Sequence, residues 1–224
     1  MIALLLAAVL MMQDPVTVDR EVEALIAPVI ESVEAEQARQ ALLPPPVDDR
    51  ERLIRMGALD QAGRMRIGDV DVSGLPPEQR RAAFAAISAV IGPIDQANQQ
   101  ALMAMVPPEG WFLRSRYGDQ AASAAFHIVQ HGGEAMWRRF LPVLEPLVTV
   151  GEVEGEVYAK MFDRLAISED RPQRYGTQFV CMDSRWTLAP LEDEMRVEEW
   201  RAELQIATPL SVYIEYMADA PPCG

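Results

Sequence analysis

Two histidines, His127 and His131, stand four residues apart in the run AAFHIVQH, and the chain has no others. On a helix that spacing puts both imidazoles on one face, one turn apart. Such a pair can offer two nitrogens to zinc, with Asp163, Glu134 or Glu156 as a third ligand. The intervening residues are Ile128, Val129 and Gln130, so the glutamate base of an HExxH site is absent. The metal-free reading is adopted, and no metal or cofactor is expected. The plain alternative is a packed pair bonded to backbone or carboxylate near a helix end.

Without a metal, His131 suits general acid–base work, because an imidazole titrates near neutral pH and a carboxylate such as Asp163 can orient it. Arg164 follows Asp163 directly and could hold an anionic ligand through its planar fork, charged at any working pH. Gln130 precedes His131. Downstream, Gln173, Tyr175, Thr177 and Gln178 supply donors and acceptors around Gly176, where the backbone is open to close approach. The expected site is therefore His131 and Asp163 for proton transfer. Gln130, Arg164, Gln173, Tyr175, Gly176, Thr177 and Gln178 would bind a small polar or anionic molecule. The structural alternative is a salt bridge at Asp163-Arg164 and a hydrogen-bonded connection from Gln173 to Gln178. Taken alone, the residues fit that alternative more readily. No Gly-x-Ser-x-Gly elbow and no glycine-rich nucleotide loop is present.

The elements that must position these residues are mainly helical. Apolar residues recur at helical spacing from Val18 to Val33, in a helix that Pro44-Pro45-Pro46 must end. Asp48-Asp49 offers an N-cap for a short helix carrying Leu53, Ile54, Met56 and Leu59. Neither helix looks chemical, and packing or a protein partner is their expected use. A helix begins at Pro76-Pro77-Glu78, with a break or kink expected at Gly92-Pro93 and a second piece up to Met105. Trp111 and Phe112 should plug the core from a loop. Residues 119–131 form the most apolar helix and so a central one, stopped by Gly132-Gly133. The next helix, residues 136–150, contains Pro142 and Pro146 and should kink or split. Another runs from about Glu152 to Leu165. Residues 178–188 read as two short strands around Asp183-Ser184, followed by helices over 191–204 and 209–217. The expected fold is mainly α, a bundle-like helical domain with one small β-hairpin. Its expected organisation is a leader (1–13), an N-terminal helical segment (14–75) and a core domain (76–220).

These residues also resemble a known family. Gly110-Trp111, Gln130-His131, Asp163-Arg164 and the run QRYGTQ at 173–178 occur in the order and approximate spacing of a bacterial family catalogued as domain of unknown function 6624. Pro190-Leu191-Glu192-Asp193, Glu199-Trp200-Arg201, Pro209-Leu210 and Tyr213 resemble its C-terminal end, so the likeness spans roughly residues 90–217. The chain departs from the pattern after His131, where Gly132-Gly133 replaces a small residue followed by Asp, and His127 lies outside the pattern. The resemblance implies a shared polar site of His131, Asp163, Arg164, Tyr175, Thr177 and Gln178. It implies no particular reaction.

With 20 basic against 34 acidic residues the net charge is −14, and a field of that sign repels nucleic acid. The first twelve residues, MIALLLAAVLMM, are continuously apolar, too short to span a bilayer and of the length of a signal-peptide core. No basic residue precedes the run and no Ala-x-Ala site follows it. Export to the periplasm or beyond is the expectation, with a cytoplasmic protein bearing an apolar N-terminal helix as the alternative. In an oxidising compartment Cys181 and Cys223 could pair and tie the tail to the core.

Overall fold

The computed structural model describes residues 20–220 and 223, so the leader lies outside the described residues. Within them are ten α-helices and one two-stranded antiparallel hairpin, a mainly α, bundle-like fold. No described helix is long and apolar enough to cross a membrane.

The first amphipathic stretch is two helices rather than one. Helix α1 (Arg20–Leu25) and α2 (Ala27–Ala41) meet at Ile26, and Pro28 lies in the first turn of α2. A proline has no N–H to give, so the chain restarts there instead of running on. Helix α3 (Asp49–Arg64) is longer than the sequence suggests; the Asp48 carboxylate caps it by accepting from Glu51 N at 2.7 Å. The turn between α2 and α3 is held from both sides. Gln40 donates to Arg55 O, and Arg55 donates to Pro44 O.

Helix α4 (Pro77–Met105) runs through Pro93 as one element, so the break that was one of the two expected outcomes does not occur. Its buried side chains lie on both sides of that proline: Ala83, Ile87 and Ile91 before it, Ile94, Asn98 and Leu102 after it. Packing along the whole length offsets the lost backbone hydrogen bond. The same holds for α7 (Glu134–Thr149), which carries Pro142 and Pro146 yet forms one helix over buried Trp137, Phe140, Leu144 and Val148. A one-turn helix, α5 (Arg114–Tyr117), is an element the sequence pattern did not announce.

Helix α6 (Asp119–His131) is central, with seven buried residues from Ala121 to Val129, and it packs against α3, α4, α5 and α7. Trp111 and Phe112 are almost fully buried beneath it, as expected of core plugs. One large cluster joins these aromatics to Leu53 and Met56 of α3, Phe140 of α7 and Tyr158 and Met161 of α8 (Gly155–Ser168). A smaller cluster holds α1 and α2 against α4 through Val22, Ile26, Val29, Ile87 and Ile91.

The hairpin pairs β1 (Phe179–Met182) with β2 (Arg185–Leu188) around Asp183 and Ser184, whose φ angles of 51° and 59° suit a tight two-residue turn. Two shorter helices close the chain, α9 (Val197–Glu203) and α10 (Leu210–Ala218); α9 is about half the length that the sequence suggested. Cys181 on β1 is disulfide-bonded to Cys223, which ties the tail to the hairpin.

Candidate functional site

The structure sorts the candidate residues into two groups. The first is built on α6 and α3. His131 Nδ1 lies 3.0 and 3.1 Å from the two oxygens of Asp60, so the carboxylate that orients this ring is Asp60 and not Asp163. Asp60 is 1% exposed. Arg64, one turn further along α3, donates to its backbone and side-chain oxygens and makes a two-pronged ion pair with Asp95 at 2.7 and 2.8 Å. Gln61 donates to the other Asp60 oxygen at 2.6 Å. Burial pushes the Asp60 carboxyl up, but the hydrogen bond and charge of His131, the charge of Arg64 and the Gln61 amide outweigh it and hold the group below its ordinary value. An ionised carboxylate only accepts, so Nδ1 of His131 carries the proton; in the neutral ring Nε2 is then the acceptor.

His127 stacks on His131 with ring centroids 6.3 Å apart and planes 13° from parallel. Burial pushes its pKa down, and the neighbouring His131 and Arg64 charges add to that against the pull of Asp60. It is therefore a neutral imidazole near pH 7, able to take a proton. His127 also lines two cavities. One of about 400 Å³ has an apolar wall of Trp111, Phe126, Val153 and Val157 and a charged rim of Arg114, Asp119, Glu152 and Glu154. The second, of about 270 Å³, lies against Ile54, Gly57, Ala58 and Gln61 of α3. Gln120, Ser123 and His127 line both, and Ser123 and His127 are one helical turn apart.

The second group surrounds α8. Asp163 is fully buried and accepts four donors: the backbone N–H of Arg174 (2.8 Å), Tyr175 (3.0 Å) and Thr177 (2.9 Å), and the Thr177 hydroxyl (2.9 Å). Burial pushes its carboxyl up, against those donors. Gln173, also fully buried, donates to Gln178 O and Ala189 O and accepts from Gln178 N, so it braces the base of the hairpin. Gly176 has φ +71°, and a Cβ there would stand 2.7 Å from Leu210 Cδ1, which explains glycine at that position. Arg201 donates to Tyr175 O and Thr208 O and so clamps the loop from α9. Tyr175 itself packs edge-on against Tyr158 and Phe162. Gln178 Nε2 rests on Thr177 Oγ1 and Lys160 O.

Among the described residues no hydrogen bond joins His131 to Asp163, Arg164 or the 173–178 loop. The link between the groups is indirect. The Gln130 carbonyl accepts from Trp137 Nε1 at 2.9 Å, and the Arg164 guanidinium lies over that indole at 5.9 Å. Asp60, Gln61 and Arg64 were not foreseen, although Asp60 and Arg64 are an i, i+4 acid–base pair on an amphipathic helix. Such pairs are common on exposed faces, and only the fold shows that this one is buried.

Among the described residues no group of three or more His, Cys, Asp or Glu side chains is placed to hold a metal ion. No curated protein and no solved structure matches the chain. The model of a family of unknown function, DUF6624, matches residues 46–222, which takes in α3 with Asp60 as well as His131, Asp163-Arg164 and the 173–178 loop. The chain belongs to that family.

Proposed function

We propose that this protein binds a small polar molecule in the cavity at His127 and acts on it by acid–base chemistry of the hydrolase kind. The observation that carries the reading is the line from buried Asp60 through His131 to the stacked, neutral His127 at the meeting point of two cavities. A buried carboxylate fixes one imidazole, and the second imidazole faces open volume with a depressed pKa. That is the arrangement a general base requires. The cavity's aromatic wall suits an apolar portion of the ligand, and Gln120 and Ser123 suit its polar atoms. His127 would accept a proton from a bound hydroxyl or water and return it to the leaving group. Export to an oxidising compartment is part of the proposal and is supported by the Cys181–Cys223 bond.

The test is a thermal-shift ligand screen on the wild type, His127→Ala and His131→Ala. A ligand that stabilises the wild type and neither variant, with the variants still folded, is the expected result. Stabilisation that persists in both variants overturns the assignment. A second, non-enzymatic reading rests on Asp163 and Gln173, whose bonding capacity is largely taken up within the protein. On that reading the recognisable loop residues hold the α8–hairpin junction, and variants in them change stability without changing ligand binding.

A further inference from the structure

We infer that Arg164 is the centre of an oxyanion-binding site, for a carboxylate or a phosphate group, where α7 and α8 pack together. Its guanidinium is half-buried and lies over the face of Trp137, 5.9 Å from the ring centroid. Among the described residues it makes no hydrogen bond and no ion pair. Among the described half-buried arginines it shares that lack with Arg80, whereas Arg55, Arg64, Arg114 and Arg174 each reach a carboxylate. Arg64 is shared between Asp60 and Asp95, and Arg138 between Glu134 and Glu169, in a protein with 34 acidic residues to draw on.

The neighbouring carboxylate is not available. Asp163 points its oxygens at the backbone of the 173–178 loop and is fully used there. Lys160, one turn earlier on α8, is already paired with Glu156 at 2.7 Å. Stacking on an indole satisfies one face of a guanidinium. It leaves the edge, with its five N–H donors in a planar fork, unmet by the protein. Those donors can be reached. Among the described residues the enclosed side-chain nitrogen that lacks a partner is Arg201 Nε, so the nitrogens of Arg164 keep contact with solvent.

A cation that has lost much of its water and gained no anion is held at a cost, which an oxyanion seated on the fork would offset. Burial lowers the Arg164 pKa, with nearby Tyr213 opposing, yet an arginine stays charged at any working pH. The indole is fixed for its part, because its Nε1 is bonded to Gln130 O at 2.9 Å. The site does not depend on the acid–base reading of His127, so the two can fail separately.

The experiment uses the full chain, titrated with sodium phosphate and with sodium acetate by calorimetry and thermal shift. Sodium chloride at matched ionic strength is the control. Saturable stabilisation of the wild type by one of the two anions is expected, lost in Arg164→Gln and kept in His127→Gln. In Arg164→Lys, which retains the charge but not the fork, the affinity should fall by about tenfold. The phosphate and acetate arms identify which anion the site prefers. Response no larger than chloride gives, or an affinity unchanged in Arg164→Lys, overturns the site. Should Arg164→Gln fail to fold, the lysine variant decides alone.

Discussion

His131 Nδ1 stands 3.0 Å from Asp60 Oδ2, across a contact between α6 and α3 that brings together residues 71 positions apart. The carboxylate is 1% exposed and the imidazole 17%. A buried acceptor of this kind fixes both the orientation of the ring and the nitrogen that bears its proton.

Replacing Asp60 by Asn keeps the shape and removes the charge. Arg64 and His131 then face a neutral amide, and the half-buried ion pair with Arg64 is broken from one side. The expected loss is roughly 2–4 kcal/mol of stability, read as a lower urea midpoint. The amide can also turn its NH2 toward His131 and draw the ring into the other tautomer. Nitrogen chemical shifts of His131 that report Nδ1–H in the wild type and Nε2–H in the variant are the specific signature. Unchanged shifts would show that Asp60 does not set the tautomer.

Asp163 invites a comparison between two variants. Asp163→Asn retains one good acceptor but points NH2 toward donors that already need a partner, so a repulsive contact replaces an attractive one in a buried site. A loss of about 2–4 kcal/mol is expected. Thr177→Val removes one of the four donors, its hydroxyl, and leaves the backbone bonds intact. It should cost nearer 1 kcal/mol. Equal and small effects on melting temperature in the two variants would contradict the account of the loop as organised by this carboxylate.

These two carboxylates show which parts of the site were legible in the sequence. Asp163, the 173–178 run and the hairpin around Asp183-Ser184 are local. Their spacing, turn residues and strand pattern lie within some twenty-five positions, and periodicity reads such distances well. The central position of α6 was legible for the same reason, from an apolar pattern on nearly every side. Asp60 was not, because its role is created by a long-range contact, and α3 by itself reads as a packing helix. Pro93, Pro142 and Pro146, where a break was one of the expected outcomes, stand inside unbroken helices. A proline's local penalty is visible in the sequence, whereas the packing that outweighs it is distributed over a whole helix.

The His127 prediction concerns pH. Its folded pKa lies below the ordinary value of 6.5, so the unfolded chain takes up a proton first as pH falls. Its contribution to stability is therefore complete above about pH 6.5 and declines as pH falls through and below that value. Asp60 is also depressed, but its loss begins only near its ordinary value of 3.8, so the two windows separate. Between pH 7.5 and 5 the melting temperature of His127→Gln should fall less steeply than that of the wild type. The ionisable side chains around His127 are His131, Asp60 and Arg64, with Arg114, Asp119, Glu152 and Glu154 around the cavity. Parallel curves over the range would show that His127 is not the group responsible.

The closest constraint on the site's geometry comes from Gly57 on α3. A Cβ added there would lie 2.4 Å from Ala124 Cβ and 3.1 Å from Ala124 Cα, so α3 and α6 approach each other as closely as they do because this position is glycine. Asp60 follows Gly57 by three residues, and His127 and His131 follow Ala124 by three and seven, so the helix contact and the Asp60–His131 bond share one register. Gly57→Ala gains up to about 1 kcal/mol of helix propensity but must push the helices apart, at an overpacking cost of about 1–3 kcal/mol. The net effect should be destabilising, and the carboxylate should draw away from the imidazole. The reciprocal change Ala124→Gly restores the space, so Gly57→Ala combined with Ala124→Gly should recover the His131 nitrogen shifts and much of the melting temperature. A double variant no better than Gly57→Ala alone would show that this contact does not set the distance between Asp60 and His131.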